Sequence, residues 1–221
     1  AGGGQLVFPF PSFEIFANRP KAMVTGIDGQ IGSYVGEALR KDCAVYGIVS
    51  EVKRSERGVF RMKVDIADAE ALRLAVLAVQ PDKVAHMASI SSTEACERDV
   101  ARTLAVNGMA ATIICQTVDS HNLPTRVVNA SSSELWKGHV NYKVTAGDKN
   151  FRPSTVYGIA KLAGHQMVDF LRETKGRPFS NAVLFTTESR RRSGQFILRK
   201  AALHARRWAE GGGGAGSVPA L

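Results

Sequence analysis

The chain has 221 residues, 44% of them hydrophobic and 22% charged, with a formal net charge of +9 and a pI near 9.7. That composition supports one sizeable core and excludes a largely disordered chain, and no apolar run is long enough to span a bilayer. The positive excess favours anionic ligands, nucleotides among them, and it crowds at Arg190, Arg191, Arg192, Arg199, Lys200, Arg206 and Arg207.

In chain order, residues 1–20 are rich in Gly, Pro and Phe without a period, and are expected to form an N-terminal arm. They begin with Ala1 rather than Met and lack the basic n-region of a secretory signal. Ala22–Thr25 predicts a first strand, followed by a helix from Gln30 to Arg40 and a second strand at Ala44–Val49. Arg61–Val64 predicts a third strand. The run Asp68–Gln80 has helical amphipathic spacing and stops at Pro81. Lys83–Met87 is the fourth strand, a long helix covers Arg98–Asp119, and Arg126–Ala130 is the fifth strand. Tyr157–Lys175 predicts a helix, Asn181–Phe185 a sixth strand and Gln195–Arg207 a last helix. GGGGAG at 211–216 marks a flexible tail over 210–221, leaving one folded domain over 21–209. Strands alternating with helices imply an α/β, Rossmann-like, doubly wound parallel sheet with helices on both faces.

Three cysteines, Cys43, Cys96 and Cys115, make no CxxC pair and no His/Cys cluster. They suit buried thiols in a reducing compartment, the cytoplasm or an organelle, and offer no metal-ligand spacing.

The first strand runs into Gly26-Ile27-Asp28-Gly29-Gln30-Ile31-Gly32. A strand, a glycine turn and a helix start make an anion site, because backbone N–H groups and the positive helix end face the same point. Gly26 permits the turn, Gly29 lets a diphosphate approach, and Gly32 lets the helix sit close to the sheet. Asp65 suits either an adenine amino group or a helix cap, although Asp68 is better placed for the cap. After the second strand, Glu51 favours a free ribose 2′-OH, while Lys53 and Arg54 favour a 2′-phosphate, so these residues leave NAD and NADP open.

Two further segments carry chemistry if they meet. One is Ser131-Ser132-Ser133-Glu134 after the fifth strand, and the other is Tyr157-Gly158-Ile159-Ala160-Lys161 at a helix start. Tyr157 and Lys161 share a helix face. An ammonium beside the phenol is expected to lower its pKa and make it a base. Ser132 would bond the reacting oxygen, and Glu134 would be a second acid/base group.

With these motifs in order, the sequence resembles the extended short-chain dehydrogenases, and within them the GDP-mannose 4,6-dehydratases. The likeness runs from about Lys21 to Trp208 and is carried by VTGIDGQIGSYV, VYGIV, VDIAD, NASSSELW, VYGIAKLAG, LFTTESRRR and QFILRK. It implies conversion of GDP-mannose to its 4-keto-6-deoxy product with NADP, or NAD, as a regenerated cofactor. Ser132, Glu134, Tyr157 and Lys161 would be catalytic. Gly26 to Gly32, Asp65, Ile66, Met87, Ala88, Ser89, Ser91, Tyr157, Lys161 and Arg192 would line the cofactor pocket. It also implies self-association into a homo-oligomer.

The sequence departs from that family at Ser50-Glu51, where paired arginines are usual. It departs again at Ala88-Ser89, at Thr186-Thr187 and at Arg190, and the family continues beyond the point where this chain ends in GGGGAGSVPAL. These departures keep a second expectation open, a catalytically impaired scaffold or accessory subunit that binds NAD(P) structurally. No aromatic stacking platform or nucleic-acid module accompanies the arginines, so nucleic acid is the disfavoured partner.

Overall fold

The strands are β1 (Lys21–Thr25), β2 (Ala44–Val49), β3 (Val59–Lys63), β4 (Lys83–His86), β5 (Arg126–Ser132) and β6 (Phe179–Leu184). All their pairings are parallel, in the order β3-β2-β1-β4-β5-β6. The computed structural model describes residues 18–52, 58–194 and 196–212. Most of the expected arm and tail, and Lys53 and Arg54, lie outside the described residues.

Helix α1 (Gln30–Leu39) connects β1 to β2, and α2 (Ala69–Val79) connects β3 to β4. Alternation along the strands divides the core in two. Ala22, Val24, Val45, Val49 and Ala85 join Ile27 and Cys43 in one cluster, against which Val35 and Leu39 of α1 pack. Met23, Ile48, Val84 and Val127 point the other way, into a larger cluster with Leu72, Val76, Ile114, Val118, Val168 and Leu171. Successive side chains of a strand face opposite sides, so a sheet covered on both faces reads as a continuous apolar run.

Helix α2 falls within its expected limits for a local reason. The Asp68 side chain accepts from the N–H groups of Glu70 and Ala71, and Gln80 ends the helix in the left-handed region at φ 47°. The segment after β4 differs from the expected single helix. It starts earlier, as α3 (Thr93–Arg98) capped by Ser92, and breaks at Asp99. It restarts as α4 (Val100–Leu104), whose first turn Asp99 caps through Arg102 N–H. It then widens into a π-turn at Ala105–Met109 before α5 (Ala110–Ser120).

Helix α6 (Val156–Lys175) is capped by Thr155 and stopped by Gly176 at φ 63°. The final helix α7 (Ile197–Arg207) buries no residue, so Arg199, Lys200, Arg206 and Arg207 form a solvated basic face. Among the described residues, no helix is long and apolar enough to cross a membrane. All three cysteines are free and buried, and burial pushes the Cys115 thiol up to about 12.

Candidate active site

The strand order reverses between β1 and β4, which opens a crevice at the carboxyl ends of the strands. Gly26 turns there at φ 65°, and a Cβ on it would come within 2.8 Å of the Ala88 backbone. A Cβ on Gly32 would lie 2.1 Å from Gly26 O, so only glycine lets α1 close onto the turn. Gly29 is different. Its φ is an ordinary −75°, and an added Cβ would meet a single protein atom, Gly26 O at 3.0 Å. No side chain caps the first turn of α1. The glycines thus leave an open cradle over a helix start, which fits a diphosphate.

Beside the cradle is a cleft of about 330 Å³. Gly29, Gln30, Ile31, Gly32, Met87, Ser89, Ser91 and Arg192 line it, together with Ser132, Glu134, Tyr157 and Lys161. The end of the glycine turn from Gly29, the serine run and the Tyr-Lys pair, up to 132 residues apart in sequence, therefore open onto one space. Thr93, Leu184 and Thr187 line it as well.

Other expected pocket residues are placed differently. Ile27 and Ile66 point their side chains into the core, 2% and 9% exposed, which leaves only their backbones available to a ligand. Ala88 backs Gly26 from behind. Asp65 is gripped by Arg102, with three contacts of 3.1–3.2 Å, and also accepts from Ala67 N–H. Those bonds hold its carboxyl below the usual range. Asp28 faces away from the cleft, toward Arg61 of β3.

The chemistry at α6 corrects one expectation. Burial pushes the Tyr157 phenol above its ordinary value, while the Ser132 and Ser89 hydroxyls pull it the other way. The Lys161 ammonium sits 5.9 Å from the Tyr157 ring centre and donates to Ala130 O at 2.9 Å. Sharing a helix face brought the two side chains together, but the longer one is spent on a β5 carbonyl rather than on the phenol. Lys161 is 3% exposed, and burial lowers its pKa to about 8. Glu134 pairs with Lys137 at 3.0 Å, and Thr155 Oγ1 donates to it at 3.4 Å.

A supporting layer was not legible from the motifs. Asn107, in the π-turn, accepts from Ile90 N–H and Ser89 Oγ and donates to Ile90 O, which fixes the loop after β4. One turn after Lys161, His165 Nδ1 bonds Ser131 Oγ at 2.8 Å, and its Nε2 lies 3.3 Å from Asp169. Asn181 Nδ2 of β6 donates to Asp169 and to His165 O. Ser131 is 2% exposed, so this Ser-His-Asp series braces α6 against β5 and β6 rather than presenting a nucleophile. From the far side, Arg191 stacks over Tyr34 and contacts Ser33 and Glu37, while Arg192 Nη1 donates to Gln30. The loop after β6 is thereby tied across α1.

His86, at the end of β4, is fully buried. Thr25 Oγ1 accepts from Ala88 N–H and shares a 2.8 Å hydrogen bond with His86 Nδ1. Burial lowers its pKa from 6.5 to about 3. Below pH 6.5 the unfolded chain takes up a proton that the folded chain refuses until about pH 3, so stability falls with pH across that window. The expected loss between pH 6.5 and 5 is up to ~2 kcal/mol. Urea unfolding of His86→Asn should show a shallower decline over that range, and identical slopes would assign the acid sensitivity to other groups.

A family model described as GDP-mannose 4,6 dehydratase matches residues 23–214. The chain belongs to that family. It is 29% identical over 198 residues to the GDP-mannose 4,6-dehydratase of Yersinia enterocolitica, covering 81% of this chain and 53% of that protein. To the GDP-mannose 4,6 dehydratase of Homo sapiens it is 29% identical over 201 residues, covering 82% and 54%. The chain thus spans about half the length of the curated relatives it matches. Among solved structures, the UDP-glucose 4-epimerase of Thermotoga maritima aligns with a TM-score of 0.73 at 21% identity, over 86% of this chain and 63% of that one. The UDP-N-acetylglucosamine 4-epimerase of Methanobrevibacter ruminantium gives 0.73 at 21%, over 85% and 64%. At those identities the likeness establishes the shared Rossmann-like fold.

Proposed function

We propose that the chain carries the dinucleotide-binding and acid/base half of a nucleotide-sugar 4,6-dehydratase that acts on GDP-mannose. The observation supporting this most directly is the convergence of Ser132, Glu134, Tyr157 and Lys161 on the cleft beside the Gly29 cradle. Gly26 to Gly32 would hold the diphosphate of NAD(P), with Lys161 and Arg192 nearby. When bound, the nicotinamide supplies a hydride acceptor for sugar C4 and a donor for C6.

The protein groups handle the protons. Tyr157 Oη would act as a phenolate, favoured by the positive charge that an oxidised dinucleotide and Lys161 would supply beside it, and take the proton of the C4 hydroxyl as the C4–O bond becomes a carbonyl. Ser132 Oγ donates to that oxygen. Glu134 removes the C5 proton, which the new carbonyl acidifies, and the C6 oxygen leaves as water after accepting a proton. A proton returned to C5 completes the 4-keto-6-deoxy sugar. The buried Ser131-His165-Asp169 brace holds Tyr157 and Ser132 in register, which such transfers require.

The test is direct. Purified chain, GDP-mannose and NAD(P)⁺ should yield a GDP-sugar that has lost one water and gained a carbonyl, seen by mass spectrometry and hydrazone formation. Tight dinucleotide binding without that product would reduce the function to the accessory, cofactor-holding role.

A further inference from the structure

Among the described α-helices, α7 alone buries no residue. Its sequence nevertheless has two faces, and Trp208 continues it in helical geometry at φ −62° and ψ −45°. At about 100° per residue, Ile197, Leu198, Ala201, Ala202, Ala205 and Trp208 fall within one sector of roughly 140°. All six are exposed, Ile197 at 57%, Leu198 at 53% and Trp208 at 72%. Arg199, Lys200, His204, Arg206 and Arg207 fill the other sector, around half-buried Leu203. Glu210 is the only acid between Ser189 and Gly212, and Arg206 takes it at 2.8 Å. Arg199, Lys200 and Arg207 have no acidic partner among the described residues.

Single apolar side chains in water are ordinary, but a continuous apolar face along about three turns of helix marks a contact surface. The charges select what covers it. A second copy of the helix would bring two sets of cations together with almost no acid between them. A nucleic acid would answer the cations and leave the apolar face in water. A bilayer surface rich in anionic lipid answers both. Its acyl boundary takes Ile197, Leu198 and the alanines, the Trp208 indole sits at headgroup level, and the flanking cations reach the phosphates.

We propose that α7 binds the surface of a membrane rich in anionic lipid, lying in its plane with the face from Ile197 to Trp208 inserted. The helix is too short and too charged to span, so it holds the domain at the interface. Nothing in this depends on what the cleft binds.

Co-sedimentation of the full chain with vesicles of phosphatidylcholine alone, and of phosphatidylcholine with about 30% phosphatidylserine, tests the proposal. Partition onto the anionic vesicles should be at least about tenfold stronger, and high salt should remove most of that gain. Trp208 is exposed where Trp136 is buried, so binding should shift its emission to the blue, and Trp208→Phe should abolish the shift. Ile197→Ser combined with Leu198→Ser should lower anionic partition by about tenfold or more although every cation remains. Arg206→Gln combined with Arg207→Gln should lower it about as far although the apolar face is intact. Equal partition onto both vesicles, no partition, or undiminished partition of the serine variant would overturn the proposal. Self-association that the serine pair abolishes, in a chain that ignores vesicles, would overturn it in favour of a second copy. Salt-sensitive RNA binding without vesicle binding would overturn it in favour of nucleic acid.

Discussion

Tyr157→Phe is expected to lower formation of the 4-keto sugar by roughly 10²–10⁴-fold, the usual range for loss of a positioned proton-transfer group. The phenylalanine ring keeps the packing of a largely buried side chain and removes only the oxygen that the Ser132 and Ser89 hydroxyls approach. Dinucleotide affinity should therefore change little, since the diphosphate cradle is on α1 and Lys161 is untouched. Burial holds the free phenol above its ordinary value, so a cationic neighbour is needed for it to act as a base near neutral pH. Single-turnover assays with the parent and the variant, beside a dinucleotide titration, separate the two effects. Full turnover in the phenylalanine variant would make Tyr157 a packing residue and move the base elsewhere in the cleft.

Gly29→Glu should weaken binding of NAD(H) and NADP(H) alike by at least about a hundredfold, with little change in melting temperature. The backbone at Gly29 is one that any residue adopts, and the single close atom, Gly26 O at 3.0 Å, requires a shift of only a few tenths of an ångström. The new side chain projects into the cradle, where bulk and negative charge oppose a diphosphate. Two like charges about 4 Å apart repel by several kcal/mol at the effective dielectric of a protein surface, enough for that loss. Gly32→Ala makes the contrasting case: its methyl would overlap Gly26 O at 2.1 Å, so it should destabilise the fold itself. Calorimetric titration and thermal melts distinguish the two. Unchanged affinity in the glutamate variant would show that the diphosphate lies elsewhere.

The strands and most helix limits were legible because their cues are local. Alternating apolar runs, the Asp68 cap, Pro81 and the glycine spacing all act within a few residues. The helix expected at Arg98–Asp119 shows where such cues mislead. Its apolar period is continuous, yet the Asp99 side chain recaps the chain at Arg102, and Ser92 caps a helix that starts at Thr93, five residues before Arg98. The Ser92-Thr93-Glu94 run was the available signal. At the site, residue types and order identified the cleft, while pairings did not. Asp65 with Arg102, His165 with Ser131 and Asp28 with Arg61 each join elements more than thirty residues apart, and nothing in their local sequence announces the partner. The direction of the Tyr157 shift escaped for the same reason, since it depends on burial and on the carbonyl that Lys161 found.

Gly26 is shaped by β1 but closed from behind by Ala88, and Thr25 is tied to His86, sixty-one residues later. The cradle proposed for the diphosphate consequently does not exist in a chain whose fourth strand has yet to dock. During synthesis or refolding, a dinucleotide finds no purchase on the first β-α-β unit alone. Its effect should fall on the rate at which the finished domain comes apart rather than on how quickly the early pieces assemble.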